Sequence, residues 1–165
     1  MIVFKTIIFL IMVPGVVLLY VPYGIVTSPY NMVFPIDGFR YLAFIAWPLG
    51  ISIMLWCVWD FIVKGKGTPA PVDPPKELVV AGLYKYVRNP MYIGVLLILL
   101  GHILWSGSIL LVLYAVGTLV CFQLFVVFYE EPFLKKTFGE SYQLYLQKVP
   151  RWVPRKATGS ESDQR

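Results

Sequence analysis

A chain of 165 residues with 58% hydrophobic and only 14% charged residues is far more apolar than a soluble domain, where about a quarter of residues are charged. It reads as an integral membrane protein with no room for a separate soluble catalytic domain. The net charge of +5 does not point to nucleic acid, because Lys and Arg stand beside apolar runs as topology determinants.

In chain order, residues 2–23 are almost entirely apolar after Lys5. The run is too long for a signal-peptide core and no A-x-A site follows, so it is expected to be a retained transmembrane helix, kinked at Pro14 and Gly15. Residues 24–39, rich in Pro, Gly, Asn and Asp, predict a turn-rich connector. A second apolar run over 40–63 ends at Trp56, Trp59 and Asp60, and the i,i+4 spacing of Asp60 and Lys64 predicts a surface ion pair. The stretch KGKGTPAPVDPP over 64–75 is a linker. Cys57 and Cys121 lie in separate apolar runs with no CxxC spacing, and read as buried free thiols.

Residues 76–94, KELVVAGLYKYVRNPMYIG, form a polar island before the next apolar run. Gly82 and Gly94 permit close approach, and Tyr84, Tyr86 and Tyr92 surround Arg88, Asn89 and Pro90 with aromatic faces. This composition suits a small-molecule pocket, and the plainer alternative is an interfacial loop. Apolar runs over 91–106 and 109–129, separated only by Gly107 and Ser108, predict a helical hairpin that returns Glu130 and Glu131 to the side of the polar island. His102, the sole histidine, falls near the hairpin tip and reads as a hydrogen-bonded structural group. Beyond Glu131, Phe133, Leu134, Phe138, Tyr142, Tyr145, Leu146 and Val149 recur roughly at helical spacing, as in an amphipathic helix lying in the interface and broken near Gly139. The fold class is therefore all-α: a polytopic membrane protein of about four transmembrane helices, with a C-terminal hairpin and an interfacial helix. It is read as one domain over 1–154, with a core over 76–154 and a disordered polar tail over 155–165.

Counting Lys and Arg gives five over 64–90 and seven in the tail, against none over 24–39. Both termini and the polar island are therefore expected on the cytoplasmic side. A short basic-tailed chain without a retention signal suggests a bacterial inner membrane.

Two segments resemble a known family. GLYKYVRNPMYIG is similar to the G-x-Y-x-x-x-R-H-P-x-Y-x-G pattern of the isoprenylcysteine carboxyl methyltransferases and their bacterial and phospholipid-methylating relatives. EEPFLKKTFGESYQLYLQKVPRWVP is similar to their E-E-x-x-L-x-x-x-F-G-x-x-Y-x-x-Y-x-x-x-V-P pattern. The resemblance covers 76–154 and implies a membrane-embedded methyltransferase that uses S-adenosylmethionine and no metal. The cofactor contacts it implies are Lys76, Glu77, Leu78, Val79, Tyr84, Asn89, Pro90, Met91, Tyr92 and Glu130, and the catalytic group is Arg88, Asn89, Glu130 and Glu131. Physically, a Tyr84 or Tyr92 face suits a sulfonium cation, Glu130 an ammonium and Arg88 a carboxylate.

The implied acceptor is a lipid or lipid-modified group entering from the membrane; Gly94 and Gly101 either line that path or, as the favoured reading, serve helix packing. Two departures bear on it. Asn89 replaces the family's His and has no titratable ring. Val126 stands where the eukaryotic prenylcysteine enzymes place a carboxylate-binding Arg, a role Arg151 or Arg155 is free to take. The acceptor classes are a prenylated cysteine carboxylate, a lipid amine or a thiol. The competing readings are a non-catalytic membrane scaffold or transporter subunit, and a family member that binds the cofactor without turnover.

Overall fold

The computed structural model describes residues 2–65 and 76–153. The linker beyond Gly65 and the tail over 155–165 lie outside the described residues. Helix α1 (Ile2–Gly15) continues through a π turn at Val16–Tyr20 into α2 (Val21–Val26). Helix α3 (Ala43–Val63) follows a 3-10 turn at Asp37–Leu42, and α4 (Pro90–Ser106), α5 (Ile109–Phe125) and α6 (Glu131–Lys148) complete the chain. Asp37–Val63 and Ile109–Lys148 are long and apolar enough to cross a membrane, while Ile11–Val26 and Pro90–Ser106 are shorter apolar helices. At 1.5 Å per residue α3 alone is about 31 Å long, close to the thickness of the hydrocarbon core.

The packing suits a lipid solvent. Large apolar side chains point outward, Ile45 at 63% exposure and Leu113 at 62%, while glycines occupy the helix contacts. Helices α3 and α4 run antiparallel and cross at Gly50 and Gly94. A Cβ on Gly50 would stand 2.6 Å from the Gly94 carbonyl oxygen, and one on Gly94 2.9 Å from that of Gly50. No larger residue fits either position without moving a helix.

The expected kink near Pro14 and Gly15 appears as the π turn just beyond them. A π turn frees carbonyls from the helical ladder, and two are taken from across the bundle. Tyr114 donates to Val17 O at 3.0 Å and His102 Nε2 donates to Leu18 O at 2.8 Å. Trp47 Nε1 donates to His102 Nδ1 at 2.8 Å. An indole N–H only donates, so Nδ1 must accept and the proton sits on Nε2. Both ring nitrogens are thus used in joining α3, α4 and the π turn.

Helix α4 ends on Gly107 at φ +67°, and the Ser108 side chain caps α5 by accepting from the Leu111 amide at 3.1 Å. The connector clamps this tip: Phe34 N donates to Gly107 O and Ile109 N to Met32 O, both at 2.9 Å. The antiparallel helices therefore put the connector and hairpin tip at one end of the bundle and the 76–90 segment at the other. The hairpin arm does not stop at Tyr129. It runs through a second π turn, Val126–Glu130, directly into α6, whose kink falls at Gly139 with φ 54°.

Candidate functional site

The 76–90 segment is built onto the end of α3. Lys76 N donates to Gly65 O at 2.9 Å, leaving the Lys76 and Glu77 side chains at the surface. Val79 and Tyr84 are buried with Cys57 and packed by Ile53, Phe61, Leu83 and Met91. The Tyr84 ring meets Phe61 edge-on at 5.6 Å. Burial, then the Cys57 and Glu130 neighbours, push the Tyr84 phenol well above its usual 10, so it stays a neutral hydroxyl. Leu78 packs instead on Tyr142, Tyr145 and Val149 of the C-terminal segment, and Tyr145 donates to Tyr84 O at 2.8 Å.

Arg88, Asn89 and Pro90 lead into α4, where Pro90 occupies the first turn at no hydrogen-bond cost. The Arg88 amide donates to Pro150 O at 2.9 Å and Asn89 Nδ2 to Arg151 O at 3.2 Å. The residue expected to take part in chemistry therefore fastens the polar island to the chain after α6. The Arg88 side chain reaches Glu131 Oε1 at 2.9 Å. Arg151 grips the same carboxylate through Nε at 2.9 Å and Nη2 at 3.1 Å. Two guanidiniums on one buried carboxylate make a charge-assisted, partly bidentate lock.

Glu130 is held differently. Among the described residues its carboxylate has one partner, the Tyr92 hydroxyl, which donates at 2.9 Å. Tyr92 stacks on Phe122 at 4.5 Å and lies 6.4 Å from Trp152, whose indole donates to Gln123 Oε1 at 2.7 Å. One member of the acidic pair is thus neutralised in a lock, and the other is offered beside an aromatic cluster.

These contacts join the first segment to the second, across a pattern that spans most of the apolar core. The phospholipid methyltransferase family matches residues 39–141. The chain belongs to that family. It is 37% identical over 79 residues to the Protein-S-isoprenylcysteine O-methyltransferase of Schizosaccharomyces pombe, covering 47% of this chain and 33% of that protein. It is 36% identical over 81 residues to Protein-S-isoprenylcysteine O-methyltransferase B of Arabidopsis thaliana, covering 47% and 40%. A Haemophilus influenzae protein of unassigned function matches over its full length at 40% identity, across 38% of this chain. The chain spans about a third of the length of the yeast relative.

Not every expected residue of this phospholipid methyltransferase family member joins the cluster. Gly94 and Gly101 face α3, where added Cβ atoms would meet Gly50 and Trp47 respectively, so helix packing fills both positions. Val126, 1% exposed, is enclosed in the π turn. Arg151 is present but engaged with Glu131, and Arg155 lies outside the described residues.

Sequence reasoning also missed contributors. Trp152 and Gln123 carried no motif signal. Asp60 was expected in a surface ion pair, and this is corrected: its carboxylate does pair with Lys64 at 2.5 Å, but its side chain is 2% exposed against 44% for the lysine. The Gly82 turn lies against it. A carboxylate inside an apolar run was the available signal, which the i,i+4 spacing obscured.

Proposed function

We propose that the protein is an integral membrane methyltransferase that transfers a methyl group from S-adenosylmethionine to a lipophilic acceptor, and that Asp60, Tyr84, Arg88, Tyr92, Glu130 and Glu131 surround its polar site. The observation that carries this reading is the meeting of the two family segments through the Tyr92–Glu130 and Arg88–Glu131 hydrogen bonds.

The residues suit the cofactor's charges. Glu130 keeps a carboxylate oxygen unpaired among the described residues, which fits an ammonium. Arg88 Nε is buried with no hydrogen-bond partner among the described residues, which fits a carboxylate. The neutral Tyr84 and the stacked Tyr92 provide aromatic faces for a sulfonium, a contact worth roughly 0.5–2 kcal/mol. When bound, S-adenosylmethionine supplies an electrophilic methyl on sulfur, which the acceptor takes by in-line displacement as the sulfonium becomes a thioether. The protein's part is placement, since holding reactants at about 3–3.5 Å replaces a bimolecular encounter. Glu131, locked by Arg88 and Arg151, keeps the two segments in register. Lys76, Glu77, Leu78, Val79, Asn89, Pro90 and Met91 shape the cradle, with Asn89 as a tether that has no titratable group.

The acceptor enters from the bilayer, which α1–α2, α3, α4 and α5 cross four times, with both termini and the site cytoplasmic. A prenylated cysteine carboxylate is the first candidate, from the names of the relatives. A lipid amine is favoured by one observation: Arg151 is engaged on Glu131, the unpaired Arg88 Nε is already assigned to the cofactor's carboxylate, and position 126 is an apolar Val, so among the described residues the cluster offers no further arginine for an anionic acceptor.

Binding of labelled S-adenosylmethionine to detergent-purified protein tests the reading. Saturable binding weakened by Glu130→Gln and by Tyr92→Ala supports it, and a folded wild type that binds nothing refutes it.

A further inference from the structure

Helix α3 lies before the segments that carry the family patterns, yet one face of its last two turns is shaped by them. Trp56, Cys57, Asp60 and Phe61 on that face meet Gly82 and Tyr84. Asp60 is the outlier. Its carboxylate is buried, its Oδ1 pairs with Lys64, and its Oδ2 has no hydrogen-bond partner among the described residues. Burying an ion costs several kcal/mol unless pairing offsets it, and here pairing covers one oxygen of two.

Oδ2 is aimed at Gly82. A Cβ on Gly82 would collide with it and would also stand 3.0 Å from Trp56 Nε1. Gly82 has φ +58°, a left-handed conformation that a residue with a side chain rarely adopts. It opens the short turn Gly82–Lys85 that carries Tyr84. The turn is thus pressed against the carboxylate by its backbone, with no side chain between. Around it, the Lys76–Gly65 hydrogen bond fixes one end of the segment and the Tyr145–Tyr84 hydrogen bond the other.

We propose that Asp60 is a positioning residue for the cofactor cradle: its carboxylate, held by Lys64, sets where the Gly82 turn sits and therefore where Tyr84 and Val79 stand. This rests on the reading of 76–92 as the cofactor cradle. The charge matters because the Lys64 pair fixes the carboxylate's rotation. A neutral Asn of the same size keeps the volume and loses that restraint.

The test uses the full chain in detergent, with labelled S-adenosylmethionine binding and, without ligand, amide hydrogen exchange. Asp60→Asn is expected to weaken binding at least tenfold and to speed exchange over 79–87, while exchange over 107–115 at the far end stays as in wild type. A general loss of stability would raise both. Lys64→Gln is expected to act in the same direction and less strongly. Gly82→Ala should weaken binding at least tenfold, and adding Asp60→Ala to it should restore part of the loss, since the collision is removed. Wild-type binding and exchange in Asp60→Asn, or strictly additive effects of the Gly82 and Asp60 substitutions, would overturn the proposal. If Asp60→Asn does not fold, wild-type affinity in Gly82→Ala overturns it alone. A wild type that binds no cofactor defeats the cofactor reading only, and the exchange over 79–87 then decides the role of Asp60.

Discussion

The Arg88 guanidinium and the Glu131 carboxylate, 43 residues apart in the chain, meet at 2.9 Å with side chains 14% and 11% exposed. Arg151, at 29% exposure, completes the group from the other side. A buried pair of this kind is costly to break from one side, because the remaining charge is left without a partner. Glu131→Gln is therefore expected to destabilise by about 3–5 kcal/mol, and Arg151→Ala by clearly less, since water reaches that arginine. Thermal unfolding in detergent checks the order.

Tyr92 links α4 to Glu130 through one hydroxyl. Tyr92→Phe keeps the stacking on Phe122 and removes only that hydrogen bond, a contribution of about 1.5–3 kcal/mol when one partner is charged. We expect S-adenosylmethionine affinity to fall about tenfold or more, and the melting temperature of the ligand-free protein to drop by several degrees. Unchanged affinity would show that Glu130 does not need the Tyr92 hydroxyl to present its carboxylate.

The crossing of α3 and α4 rests on two glycines with backbone against backbone. Gly94→Ala inserts a methyl where Gly50 O already stands, and overpacking of this kind costs about 1–3 kcal/mol. Gly117 has no described residue within 4 Å of an added Cβ, so Gly117→Ala should leave the melting temperature within a degree or two of wild type. If the two substitutions act alike, the close crossing is wrong.

His102 joins three helical segments at the end remote from the site. His102→Leu strands Leu18 O and the Trp47 indole, and each unsatisfied buried group costs about 1–3 kcal/mol. The expected outcome is a lower melting temperature and altered Trp fluorescence, with S-adenosylmethionine affinity retained in the protein that remains folded. Loss of binding at a temperature where the variant is folded would place His102 in function.

The helices, the hairpin at Gly107 and Ser108, the break at Gly139 and the resemblance of two segments were all legible in the residues, because hydropathy runs, turn residues and motif spacing are local signals. Partner choice was not. Sequence spacing put Asp60 with Lys64 and stopped there; that the Gly82 turn lies against the carboxylate depends on a return of the chain no i,i+4 rule contains. Gly94 and Gly101 carry two readings in sequence, a lipid path and the favoured one of helix contacts, and α3 lies against both.

The sequence by itself determined that this is an apolar, all-helical protein whose Lys and Arg residues fall mostly on one side of its apolar runs, because water and hydrocarbon sort side chains by their chemistry alone. Only the tertiary structure decided that Glu131 is locked between two arginines while its neighbour Glu130 answers to a single tyrosine. Adjacent residues on a helix point about 100° apart. Identical carboxylates therefore meet different surroundings once the helices around them have packed.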